Sequence, residues 1–311
     1  MNLVSTPGST GDAFGGAWGP ALLVRVVLRG VGQVMFQGNA ATGLLFLVGM
    51  AIASWPMALA ALLGAVIGPV VALFCGFDRA EIEDGIYGYN PALVGAAAIF
   101  LLPQAPITWG LLTAACVVSV FVTWAMRRGL PFPAYTAGFV VTTWAMLFAA
   151  QVIGDIRPVI SGGTLPVPSH DLGYLEFGKD VLAGVAEVMF GADWMTGLCF
   201  VAGLVVGSWR HALVALLGAA LGTLVAVYHN DSEASVRLGI YGFNSALAAI
   251  ACYLARPSLV AVAAGAAISV PLMEFFPTGL GLRPLTAPFI VASWIVLLLM
   301  KIDTLLAPKP G

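Results

Sequence analysis

The sequence predicts an all-α integral membrane protein of two inverted-topology homologous repeats, with about ten transmembrane helices plus two shorter pore helices. Three observations predict it. First, 60% of the 311 residues are hydrophobic, only 9% are charged, and the mean hydropathy is +0.98. A water-facing domain carries about 25% charged residues, so most of this chain's outer surface faces lipid. Second, apolar runs of roughly 17–25 residues recur, the length that crosses a bilayer as a helix. They lack the period-2 alternation of barrel strands. Third, the chain repeats itself. Gly32-Gln33-Val34-Met35-Phe36 returns as Ala186-Glu187-Val188-Met189-Phe190, and Ser54-Trp55 returns as Ser208-Trp209. Gly85-Ile86-Tyr87-Gly88-Tyr89-Asn90 returns as Gly239-Ile240-Tyr241-Gly242-Phe243-Asn244. Positions 33, 55 and 90 therefore reappear at 187, 209 and 244, each 154 residues later. Thr136-Ala137-Gly138-Phe139 reappears as Thr286-Ala287-Pro288-Phe289, 150 residues later. A register held over several separate matches marks a tandem duplication.

The elements follow in order. Residues 1–19 form a polar N-terminal tail rich in Gly, Ser and Thr, with no basic segment of the kind that opens a cleavable signal. The first half, 20–153, starts with a short Arg-bearing helix near 19–36 and continues with apolar runs near 40–54, 56–76, 87–103, 106–126 and 134–153. The 40–76 stretch is too long for one crossing at about 1.5 Å per residue, and Trp55-Pro56 is its natural break. A Gly-, Pro- and Ser-rich linker, 154–173, joins the halves. The second half, 174–302, gives 174–190, 195–207, 209–228, 239–255, 258–273 and 285–301, followed by a C-terminal tail, 303–311. Five spans per half is an odd number, so the second half enters the membrane from the opposite side. That architecture places a substrate site near the midplane, between the halves. Arg127 and Arg128 end one span, while Asp78, Glu81, Glu83 and Asp84 cluster in a loop; with so few cations the orientation stays open.

Several classes are disfavoured. The net charge is −2 and no basic run occurs, so nucleic acid is not an expected partner. Cys75, Cys116, Cys199 and Cys252 lie inside apolar segments without ligand spacing and read as packing residues. His170, His211 and His229 sit at segment edges or in loops. No metal cluster and no nucleophile–base pair is legible, so neither an enzyme nor a cofactor is expected.

Glu187 is the most informative residue. A carboxylate near membrane depth costs several kcal/mol unless it meets water or a partner. Its counterpart is Gln33, an uncharged amide of similar shape, so the shared requirement is an acceptor oxygen and not a charge. Arg25 or its counterpart Lys179 could instead pair with Glu187, or could anchor the short helices at the interface. Thr136 and Thr286 stand in equivalent Pro/Gly-disturbed turns, whose freed carbonyls need protein or a wet path; a hydroxyl bonded back to its own helix is the plainer reading. Tyr89 with Leu93, and Phe243 with Leu247, place an aromatic and a leucine four residues apart on one helical face. Phe36 and Phe190 make a third symmetric pair. Packing alone would explain such stripes; two facing aromatic walls would also make a flat slot. Asn90-Pro91-Ala92 spells the aquaporin triplet, but its second copy is Asn244-Ser245-Ala246, followed by Leu247 where those channels carry an arginine. The aquaporin reading is rejected.

At these residues the chain resembles the urea transporter family, the group that includes bacterial urea channels as well as vertebrate kidney and red-cell proteins. The family's Leu-Pro-x-x-Thr-x-Pro-Phe string is approximated by Phe132-Pro133-Ala134-Tyr135-Thr136-Ala137-Gly138-Phe139 and by Leu282-Arg283-Pro284-Leu285-Thr286-Ala287-Pro288-Phe289. Its glycine–aromatic–asparagine element, with leucine three residues on, is matched by Gly88-Tyr89-Asn90 with Leu93 and by Gly242-Phe243-Asn244 with Leu247. Gly138, Phe132, Arg283 and Tyr89 depart from the pattern, and Arg283 leaves the backbone around it open. The resemblance implies a homotrimer of a bacterial member in the inner (cell) membrane, each subunit with its own pore between inverted halves. Urea would pass along a slot between Phe36, Tyr89, Leu93 and Val188 on one side and Val34, Phe190, Phe243 and Leu247 on the other. Its N–H groups would donate to Gln33, Glu187, Thr136 and Thr286. The implied activity is passive transport. An ion-coupled carrier, or a channel for short amides, water or ammonia, is the alternative; a carrier would hold more ionisable groups within its spans.

Overall fold

The computed structural model describes residues 19–154, Ile156 and 173–306. Nearly all of the polar N-terminal tail, most of the 154–173 linker with His170, and the last residues of the C-terminal tail lie outside them. The first half gives α1 (Pro20–Gln33), α2 (Ala40–Ala53), α3 (Trp55–Phe74), α4 (Arg79–Glu83), α5 (Tyr89–Leu101), α6 (Pro106–Gly129) and α7 (Ala137–Gly154). The second gives α8 (Tyr174–Ala186), α9 (Trp194–Tyr228), α10 (Glu233–Arg237), α11 (Gly242–Ala255), α12 (Leu259–Glu274) and α13 (Ala287–Leu306). No strand occurs among the described residues.

The same local chemistry starts and breaks equivalent helices. Asn39 caps α2 by accepting from the Ala41 and Thr42 amides, and Asp193, at the equivalent position, caps α9 through Met195 and Thr196. The expected break falls in both halves. Ser54 separates α2 from α3 with φ −163° and ψ 107°, and Ser208 kinks α9 with φ −163° and ψ 110°. The second break needs no proline. Two differences from the sequence-based boundaries have clear causes. The five-residue helices α4 and α10 are too short to show a periodicity. Helices α7 and α13 start at Ala137 and Ala287, not 134 and 285, because Tyr135 and Leu285 turn the chain at φ 46° and 48°.

Several contacts between the halves come in reciprocal pairs. The Thr42 hydroxyl donates to the Gly203 carbonyl at 2.7 Å, and the Thr196 hydroxyl donates to the Gly49 carbonyl at 3.0 Å. Between them Phe46 stacks on its own counterpart, Phe200, with centroids 4.6 Å apart. Likewise Trp144 Nε1 donates to the Arg283 carbonyl and Trp294 Nε1 to the Pro133 carbonyl, at 2.8 and 2.9 Å. Such i-to-j and j-to-i pairing is the mark of a two-fold axis. Position rises along α2 as it falls along α9, so these symmetry mates run antiparallel. Helices that cross the membrane and are antiparallel across a two-fold have that axis in the membrane plane, which is the inverted arrangement.

By length and composition, α3, α6, α9 and α13 are long and apolar enough to cross a membrane among the described residues. Their outward residues are apolar: Leu213, Leu217 and Leu224 on α9, and Ile295, Leu298, Leu299 and Ile302 on α13, are exposed. Apolar side chains in that position are stable against hydrocarbon. Helices α5 and α11 are shorter, about 20 Å at 1.5 Å per residue, and nearly all of α5 is buried. They sit inside the protein, where irregular backbone beyond their ends can be satisfied. Gly64 and Gly68 let α3 approach α5: a methyl group at either would collide with the Pro91 or Tyr87 carbonyl.

Candidate functional site

The candidate site forms where α5, α11 and the starts of α7 and α13 meet the ends of α1 and α8. Val34, Tyr89, Leu93, Val188, Phe243 and Leu247 belong to one buried apolar cluster, with Phe36 and Phe190 packed against it. Phe36 and Phe190 both adopt left-handed backbone, φ 62° and 64°, which turns the chain sharply after α1 and α8. Their rings meet equivalent partners. Phe36 lies edge-on to Phe289 at 6.2 Å, and Phe190 edge-on to Phe139 at 6.4 Å. Phe36 also meets Tyr135 edge-on, and Phe190 stacks on Phe100.

Thr136 and Thr286 meet each other. Their hydroxyl oxygens are 2.7 Å apart, both buried, on the two-fold relating the halves. The plainer expectation, a hydroxyl bonded back into its own helix, does not describe them. Thr123 does that instead, donating to the Ser119 carbonyl. Two carboxamides hold the turns that present the threonines. The Phe139 amide donates to Asn90 Oδ1 at 3.1 Å, and the Phe289 amide to Asn244 Oδ1 at 3.0 Å. The amide nitrogens are also engaged: Asn90 Nδ2 donates to Thr123 Oγ1, and Asn244 Nδ2 to the Leu285 carbonyl. These asparagines brace the helix starts, with their amide nitrogens committed to protein acceptors and not to a file of water. Their residue type was visible in the repeated motif, but the partners they reach were not. The Tyr89 hydroxyl, a departure from the family pattern, donates to the Tyr135 carbonyl at 2.7 Å and so ties up one freed carbonyl.

Gln33 and Glu187 occupy the equivalent ends of α1 and α8, with different surroundings. Gln33 Nε2 donates to the Asp84 carbonyl and Arg29 to the Glu83 carbonyl, both at 2.9 Å. With its nitrogen committed, the amide has its oxygen left to accept. In the second half the equivalents are Ala183 and Glu187, so no arginine stands beside the carboxyl, whose oxygens can accept. Glu187 Oε2 is buried with no hydrogen-bond partner among the described residues. Lys179 does not supply one; it pairs with Glu176 at 2.8 Å. An unsatisfied buried acceptor costs about 1–3 kcal/mol, which a donor-rich solute would recover. The Arg283 carbonyl sits in the reciprocal tryptophan contact, so the backbone there follows its counterpart despite the changed side chain.

Outside the spans, Glu81 links α4 to α6. It accepts from the Tyr87 hydroxyl and pairs with Arg127 at 2.9 Å. Burial works against its charge, but the Tyr87 and Arg127 hydrogen bonds outweigh that and hold the carboxyl below its ordinary range.

The sequence compares with known proteins as follows. The family model described as "Urea transporter" matches residues 24–301. Urea transporter 1 of Ovis aries is 29% identical over 301 residues, covering 88% of this chain and 76% of the relative, and that of Capra hircus gives the same figures. Urea transporter 1 of Rattus norvegicus is 29% identical over 239 residues, covering 72% of this chain and 61% of the relative.

Proposed function

The chain belongs to the urea transporter family, and we propose that the urea it passes crosses through a slot between its two inverted halves. It is an integral membrane protein and a passive transporter of urea, not an enzyme. Urea is small, planar and neutral, with four N–H donors and one carbonyl, so stripping its water is costly unless acceptors replace it. Gln33 Oε1 and the Glu187 carboxylate stand at equivalent ends of the slot, and Thr136 and Thr286 lie at its centre. Phe36, Tyr89, Leu93 and Val188 form one flat wall, and Val34, Phe190, Phe243 and Leu247 form the other. The walls accept a planar solute and offer a hydrated ion nothing in exchange for its shell.

The observation that carries this reading is the unpartnered Glu187 oxygen, paired by the repeat with an amide whose nitrogen is already committed. Both positions then supply acceptors to a solute rich in donors. The subunits assemble as a homotrimer in the cell membrane, each with its own slot. The test is urea efflux from proteoliposomes with and without proton and sodium gradients. Fast efflux down the urea gradient alone is expected; flux that collapses with a protonophore or on sodium removal would sink the slot as a passive path.

A further inference from the structure

Away from the slot, the ends of α9 and α12 and the turn after α9 gather three side chains that can bind a metal. His229 Nδ1 lies 2.7 Å from a Glu274 carboxylate oxygen. One ligand atom each of His229, Asp231 and Glu274 lies within 4.8 Å of the other two. Asp231 Oδ1 accepts from the Tyr241 hydroxyl at 2.9 Å, while its Oδ2 is buried with no hydrogen-bond partner among the described residues. A buried carboxylate oxygen without a donor demands an explanation, and a bound cation would supply one.

The other half provides an internal comparison. By the two repeat registers, Asp231 corresponds to Phe77 and Glu274 to Trp124. The Asn90–Thr123 and Asn244–Met273 contacts support the second correspondence, one residue earlier in each half. Phe77 and Trp124 stack, with centroids 5.4 Å apart and planes 17° from parallel. An apolar stack therefore suffices to pack this corner, and the second half has replaced it with two carboxylates beside an imidazole. Packing does not account for that exchange.

We propose that His229, Asp231 and Glu274 form a binding site for a divalent transition-metal ion. The ion would replace the proton shared by His229 and Glu274 and take Asp231 Oδ2 as its third ligand. One imidazole nitrogen and two carboxylate oxygens suit zinc and its neighbours, with water completing the shell. Calcium would ask for six to eight oxygens. The ion would fasten the end of α9 to that of α12. Through the Asp231–Tyr241 hydrogen bond it would also steady the segment leading to Phe243.

Equilibrium dialysis of the tag-free protein against zinc, with excess calcium and magnesium present, tests this. One zinc per chain is expected, weakened at least tenfold by Asp231→Asn and by Glu274→Gln. Cys75→Ser, which removes the exposed thiol on the opposite half, should leave binding unchanged. A monodisperse size-exclusion profile shows that each variant has folded, and His229→Phe provides a third variant should one of the others fail. Wild-type zinc affinity in the folded variants, no stoichiometric zinc in the parent, or loss of binding in Cys75→Ser alone would overturn the site.

Discussion

Glu187 and the threonine pair make separable claims about what the slot asks of a residue. If Glu187 serves through an acceptor oxygen, Glu187→Gln should lower urea flux only a few-fold. Glu187→Leu, which leaves one urea N–H unmatched at about 1–3 kcal/mol, should lower it about tenfold or more. Stopped-flow light scattering on proteoliposomes separates the two, and wild-type flux in Glu187→Leu would remove this residue from the path. Thr136→Val and Thr286→Val each strand the opposite hydroxyl, so a double-mutant cycle on stability should return a coupling of about 1 kcal/mol. Additive losses would mean that the 2.7 Å contact is not made. The repeat register, the Pro/Gly-disturbed turns and the family string together single out Thr136 and Thr286. Their meeting was not legible, because it joins turns 150 residues apart and no local pattern encodes it. Asn90 and Asn244 stood in plain view within the motif, yet their task depends on amides 49 and 45 residues further along.

Between elements, close approach and ion pairing both set positions. Helices α3 and α5 meet because Gly64 and Gly68 carry no side chain, as small residues permit at helix interfaces within membranes. Gly64→Ala and Gly68→Ala should each destabilise by about 1–3 kcal/mol through overpacking and reduce the yield of folded protein; an unchanged melting profile would show that α3 sits further off. Glu81 ties α4 to α6 through Arg127. Because its carboxyl is held below the ordinary range, its contribution is complete above that range and is lost as pH falls through the lowered value. Acid unfolding should thus set in at higher pH in Arg127→Gln than in the parent, and identical acid transitions would contradict the brace. Helix positions were largely readable from apolar runs, since a duplicated chain carries its own alignment. The five-residue helices α4 and α10 were not, having too few residues for a period.

For the molecule as a whole, inversion is the structural claim with the widest consequences. Cys75 is exposed at the end of α3, and its repeat equivalent is His229 at the end of α9. A membrane-impermeant maleimide should label Cys75 from one side of the bilayer. In a Cys75→Ser background, His229→Cys should label from the other side, and labelling from the same side would contradict the inverted fold. The odd span count already pointed to inversion; the antiparallel reciprocal contacts of Thr42 and Thr196 supply its geometry. Above this stands the claim that urea lies between the halves, held at both ends by oxygen. A structure determined with urea, or with a selenium-bearing analogue located by its anomalous signal, tests that claim most directly. Solute is expected in the slot beside Gln33 and beside Glu187, sandwiched by the aromatic walls. Solute bound only outside this slot, in protein that conducts urea, would contradict it.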